Sequence, residues 1–181
     1  KTTAVNNFKI SAADLSKHIS AKTKVLILNS PSNPTGSVYS RQELEAIAKI
    51  CVAENIFVIS DEIYEKITFD GLKHNSIASL NKDIYDLTVT VNGLSKSHAM
   101  TGWRIGYLGA PSDVANAISN LQDHSTSNPN SIAQKAAEAA LTAPDDFSNQ
   151  ICQEFTRRRD YLAARVKEIK GLDWLSKKPP E

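Results

Sequence analysis

Apolar and polar positions switch between two periods along this chain, and the switches lay out its elements. Residues 25–28 (VLIL) form a continuous apolar run of strand length, the pattern of a parallel strand buried on both faces. IFVISDE at 56–62 and LTVTVNG at 87–93 repeat that pattern, and IGYLGA at 105–110 predicts a fourth strand. The helical period of 3.6 appears between them. SAADL at 11–15 pairs Ser11 with Asp14 in a capping pattern and opens a short helix towards Ile19. Ser40 and Glu43 form a second such pattern ahead of a helix whose apolar positions are Leu44, Ile47, Ala48 and Cys51. Beyond the fourth strand the helical period takes over. A helix follows PSD at 111–113, which reads as its N-cap signal, and a second covers 130–141. A third runs from about Asp145 to Lys170 with a stripe of Ile151, Phe155, Leu162, Val166 and Ile169.

The first three strands recur about every 30 residues, the length of a βαβ unit. The expected fold is therefore α/β, a mostly parallel sheet flanked by helices and followed by a helical region. In such sheets ligands bind beyond the carboxyl ends of the strands. This edge collects three distinct side chains: Asn33 after the first strand, Asp61 after the second and Lys96 after the third.

Composition narrows the partners. With 41% hydrophobic and 23% charged residues the chain is that of a soluble globular protein. A formal charge of +1 gives no bulk electrostatic reason to expect nucleic acid or membrane partners. No apolar run approaches the roughly 18 residues of a membrane span. Cys51 and Cys152 lie far apart without metal-ligand spacing, and Cys51, on an apolar helical stripe, is read as a buried thiol of a reducing, cytoplasmic compartment. The opening KTTAVNNF has no initiator methionine and the close SKKPPE ends on a charged, proline-rich tail, which together suggest part of a longer protein.

Taken singly, the polar residues have ordinary explanations. Asn33 in SNPTG suits a turn, Asp61 a helix N-cap, Tyr64 a half-buried aromatic one helical turn later, and Arg104 an ion pair. Lys96 is the exception, because its neighbours Ser95 and Ser97 carry no balancing charge. A lysine short of acidic neighbours can act as an amine nucleophile. Taken together they form a set. A lysine imine needs a carbonyl, a shielded carboxylate favours a protonated ring nitrogen, and an arginine beside small hydroxyl residues suits a phosphate. Pyridoxal 5'-phosphate carries all three targets, and its phenolic oxygen is left for Asn33 and Tyr64.

SNPTG, SDEIYE and NGLSKSHAMTGWRIGY, in this order and spacing, resemble the fold-type I pyridoxal-phosphate aminotransferases of class I/II, the bacterial aspartate aminotransferase branch most of all. The resemblance implies a lysine Schiff base at Lys96, Asp61 on the pyridine nitrogen, Asn33 and Tyr64 on the ring oxygen, and Ser95 with Arg104 on the phosphate. It implies a cis bond at Asn33–Pro34, amino acid and 2-oxo acid substrates, and a homodimer. It also divides the chain into the second half of the cofactor-binding large domain (1–120) and a helical connection into the small domain (121–181). The family's phosphate loop, ring-stacking aromatic and substrate-carboxylate arginine match nothing here, so the 181-residue piece alone is expected to be inactive. Other fold-type I chemistries, β-elimination among them, and a cofactor-binding sensor domain of a transcription regulator remain open alternatives.

Other motifs carry less. SLNK at 79–82 fits S-x-x-K but lacks the companion motifs of serine acylating enzymes, and is read as a surface turn. The four histidines make no metal-ligand pair at helical or hairpin spacing. Arg157, Arg158 and Arg159 are read as a solvated helix face, and the polar segment 122–131 as a lining of the subunit boundary.

Overall fold

The computed structural model describes residues 2–172. Four strands, β1 (Val25–Asn29), β2 (Phe57–Asp61), β3 (Thr88–Gly93) and β4 (Gly106–Gly109), form one sheet in chain order. The first three are parallel and β4 returns antiparallel to β3. The register sets Asn29 beside Asp61 and Asp61 beside Val91, so the carboxyl ends of the parallel strands finish level.

The helices begin where the caps are. Ser11 accepts the Asp14 backbone N–H and opens α1 (Ala12–His18). Ser40 and Glu43 complete a reciprocal capping box at the start of α2 (Arg41–Ala53). The predicted α2 stripe is the one buried: Leu44, Ile47, Ala48 and Cys51 join Leu28, Val58, Ile77 and Ile84 in the main core. Asn81 caps the short α3 (Lys82–Tyr85), so SLNK is a capping turn whose Lys82 pairs with Asp86 at the surface. The helical region comprises α4 (Ser112–Ser125), α5 (Ser131–Thr142) and α6 (Asp146–Lys167). Pro111 occupies the N-cap of α4 without a side-chain cap, so PSD enters the helix instead of preceding it. None of the described helices is long and apolar enough to cross a membrane.

Two burial expectations fail for one reason. Strand β1 is not covered on both faces: Leu28 is 4% exposed, but Ile27, pointing the other way, is 72% exposed. The apolar stripe expected for the last helix is likewise open, with Phe155 and Leu162 of α6 exposed and Ile169 exposed beyond its end, and α4 buries no residue. Apolar side chains stay in water here because no described element packs over them, and a run of apolar residues cannot say which side its partner lies on. The other departure is local. No helix follows Asp61; the chain makes a tight turn instead, with hydrogen bonds from Glu65 N to Glu62 O (2.9 Å) and from Ile67 N to Tyr64 O (2.8 Å).

A smaller core of Leu94, Met100 and Ala137 underlies the lysine segment. Its approach depends on two facing glycines: a Cβ on Gly93 would lie 3.2 Å from Gly106 Cα and from Ile63 Cδ1. The Asn33–Pro34 peptide is cis, as is Ser30–Pro31.

Candidate functional site

Three strand ends build the site, and backbone pairing sets each one. At the end of β1, Asn29 braces two segments: its Nδ2 donates to Asp61 O (3.2 Å) and its Oδ1 accepts from Asn33 N (2.9 Å). The Asn33 side chain then reaches the turn after β2, where Nδ2 donates to Tyr64 Oη at 3.2 Å. Tyr64 is placed by that turn, which Asp61 starts by accepting the Ile63 N–H on Oδ1 (3.2 Å). The turn reading of Asn33 holds, whereas Asp61 caps a tight turn and not a helix; neither role uses up the side chain. Asp61 keeps Oδ2, and Tyr64 keeps its hydroxyl proton.

Lys96 closes the group from β3. Its Nζ lies 5.6 Å from the centroid of the Tyr64 ring, a cation–π distance. It makes no ion pair among the described residues, as its serine neighbours suggest. The segment is held from behind by the His98 N–H to Leu94 O bond (3.1 Å) and by Ser148, whose hydroxyl donates to Ser97 O (3.2 Å). Tyr64, Ser95 and Lys96 line one cavity of about 680 Å³, closed on the far side by Phe147, Glu154 and Phe155 of α6.

Arg104 stands apart. It is exposed, in a left-handed backbone conformation (φ 52°), and its Nη1 donates to Thr101 O at 2.9 Å. It lines a second concavity of about 640 Å³ with Trp103 and Asn130, and only Ala99 lines both. Of the six candidate residues, then, Tyr64 meets both Asn33 and Lys96, Ser95 lines the cavity with Tyr64 and Lys96, Asp61 joins them through the turn it starts, and Arg104 lies next door.

Two features escaped the sequence reading. Arg159 is not part of a solvated face: it forks onto Asp70 with both contacts at 2.9 Å and lies 4.9 Å from the centroid of Phe69. Arg157 and Arg158, by contrast, are exposed and share Glu154, as expected. The second is a polar cluster behind Asp61. Glu62, 3% exposed, is hydrogen-bonded by Ser60, Ser76 and His74. Burial alone would raise its pKa, but these bonds prevail and hold it below the ordinary carboxylate value. Glu65 brings a third ligand-type atom, all within 4.8 Å of one another, although both oxygens of Glu62 are already occupied. A pattern linking residues 62, 74 and 76 across an irregular loop has no period to reveal it.

Comparison with known proteins shows the family. The family model described as aminotransferase class I and II matches residues 1–179. The aspartate aminotransferase of Geobacillus stearothermophilus is 48% identical over 167 residues, covering 92% of this chain and 42% of that protein. An aspartate/prephenate aminotransferase of Cereibacter sphaeroides is 42% identical over 166 residues, 91% of this chain and 42% of its own. Among solved structures, the aspartate aminotransferase from Rhizobium meliloti superposes with a TM-score of 0.90 at 38% identity, over 94% of this chain and 43% of that one. Thermus thermophilus aspartate aminotransferase with maleate gives 0.87 at 38% identity, over 92% and 44%. This chain thus spans less than half the length of the relatives it matches.

Proposed function

The chain belongs to the class I and II aminotransferases, and from that premise we propose that its protein moves an amino group between an L-amino acid, aspartate first, and a 2-oxo acid, using pyridoxal phosphate. The observation that carries the reading is that Tyr64 and Lys96 line one cavity at the carboxyl ends of parallel strands, with Asn33 hydrogen-bonded to the Tyr64 hydroxyl and Asp61 at the start of the Tyr64 turn.

The donor set fits the cofactor. Asn33 and Tyr64 supply N–H and O–H donors for a phenolic oxygen, Asp61 Oδ2 an acceptor for a protonated ring nitrogen, and Ser95 a hydroxyl for the phosphate. Arg104 spends one N–H on Thr101 O, which leaves the rest of its fork for the same phosphate. When bound, pyridoxal phosphate supplies a ring that withdraws negative charge from the α-carbon of the amino acid. The side chains do the rest. Asp61 holds the proton on the ring nitrogen: a charge-assisted hydrogen bond of about 1.5–3 kcal/mol corresponds to about one to two pKa units, enough to decide protonation at neutral pH. Lys96, which makes no ion pair among the described residues, would hold the cofactor at its aldehyde carbon through Nζ and would serve as the general base for the α-proton of the amino acid. A homodimer in a cytoplasmic setting, with the large domain ending near residue 120, belongs to the same reading.

The test is borohydride reduction of the full-length protein incubated with pyridoxal phosphate, followed by peptide mass spectrometry. Labelling confined to Lys96, with exchange between aspartate and a 2-oxo acid before reduction, is expected. Labelling scattered over many lysines would overturn the proposal.

A further inference from the structure

Asp61 and Glu62 are neighbours that do opposite things. Asp61 ends β2 half-buried, while the carboxylate of Glu62 turns back into the protein, 3% exposed. Its backbone N–H donates to Val91 O at 2.9 Å, which fixes the strand exit to β3. Its side chain fixes the exit a second time. Oε1 accepts from Ser60 Oγ (2.8 Å) and Ser76 Oγ (2.7 Å), and Oε2 meets His74 Nε2 at 2.9 Å. His74 Nδ1 is buried without a partner. A proton there would have no acceptor, so the ring carries its proton on Nε2 and donates it to Glu62.

A buried carboxylate is costly, and an apolar side chain of similar volume often serves stability as well or better. Stability alone therefore does not explain this arrangement, whereas its position does. The three donors immobilise the residue next to Asp61 in the chain and fix its negative charge in the protein interior. The titratable groups grouped with this charge are Glu65 on the same segment and His74 on the loop, their ligand-type atoms within 4.8 Å of one another; Tyr107 of β4 sits beside Glu65, and its hydroxyl pKa is raised by burial and then by Glu65. The balance of charge here is negative.

We propose that Glu62 and His74 are a positioning pair for Asp61, holding the end of β2 so that Asp61 Oδ2 meets the cofactor's ring nitrogen and adding a fixed charge that favours its protonated form. This rests on the functional reading above. It assigns no contact with substrate or cofactor to either residue; both act through Asp61.

The experiment measures cofactor affinity and the pH titration of the bound cofactor's absorbance band in full-length protein carrying Glu62→Gln or His74→Ala. Expected are affinity losses of about tenfold, the scale of one lost hydrogen bond to a charged group, and a band titration displaced to lower pH. A buried control, Thr88→Val, removes a hydroxyl bonded to Ile84 O (2.7 Å) on β3 and is expected to change neither readout. Variants that lose thermal stability but keep the wild-type affinity and titration would reduce the pair to a fastener of the loop and overturn the proposal. Where Glu62→Gln does not fold, Ser76→Ala withdraws a single donor, and an unshifted titration there overturns it equally. Wild-type protein that takes up no pyridoxal phosphate at all would instead sink the functional reading, and this inference with it.

Discussion

The Asn33–Tyr64 hydrogen bond offers a sharp test of the site because one of its partners can be changed without disturbing the lysine. Tyr64→Phe removes the hydroxyl that accepts from Asn33 Nδ2 at 3.2 Å but keeps the ring that Lys96 Nζ faces at 5.6 Å. Asn33→Ala removes the donor. The pair is neutral, Asn33 is exposed and Tyr64 half-buried. Its coupling therefore belongs to the ordinary range of about 0.5–1.5 kcal/mol, or roughly two- to tenfold in an equilibrium constant. Each single substitution is expected to cost more than this, since each also removes a donor to the cofactor's ring oxygen. A double-mutant cycle on the dissociation constant of pyridoxal phosphate, measured by equilibrium titration of full-length protein, isolates the coupling. A coupling of zero, with both single variants at wild-type affinity, would show that the two side chains meet without serving the cofactor. Loss of Lys96 labelling in Tyr64→Phe would refute the separation of ring from hydroxyl on which the reasoning stands.

Arg159→Lys, which loses the two-pronged bond to Asp70 and the stacking on Phe69, should lower stability by about 1 kcal/mol in chemical denaturation, while Arg157→Ala leaves the midpoint unchanged. The Cys51 thiol, 0% exposed and pushed by burial up to about 11, should resist alkylation at pH 8 until the protein unfolds; stoichiometric labelling of the native state would contradict this. Because Glu62 titrates below its ordinary value of 4.5, its contribution to stability is complete above that pH and is lost as pH falls through the lowered value. Glu62→Gln should therefore flatten the acid limb of stability against pH. Gly93→Ala would force a methyl to within 3.2 Å of the Gly106 backbone, and a loss of about 1–3 kcal/mol is expected by thermal melting.

Local chemistry made much of this molecule legible. Ser40 and Glu43 announce α2, and the spacing of Leu44, Ile47, Ala48 and Cys51 names the face it buries. Parallel pairing of the first strands followed from repeat length, and the carboxyl-end rule then selected Asn33, Asp61 and Lys96 from a large number of polar residues. The misses have a common cause. Ile27 and Phe155 show what an apolar side chain prefers, but what packs on it is decided by elements far away in sequence. The contact of His74 with Glu62 and that of Arg159 with Asp70 cross irregular segments, where no periodicity ties one residue to the other. Arg104 shows the limit in another way: motif spacing placed it near the lysine, and the left-handed turn at that residue set its guanidinium in the adjoining concavity.

Helix α6 is fastened to the sheet side at four points along one side of its length. Asp145 just before it pairs with Lys66, Ser148 donates to Ser97 O, Cys152 Sγ donates to Thr68 O at 3.0 Å, and Arg159 grips Asp70. At 1.5 Å per residue these anchors extend over about 21 Å, and the final two turns continue past them with Leu162 in solvent. Mechanically this is a clamped beam with a free end. Any tilt about the Ser148 anchor, the one tied to the lysine-bearing segment, would displace positions beyond Arg159 more than those bordering the cavity, because displacement grows with distance from a pivot.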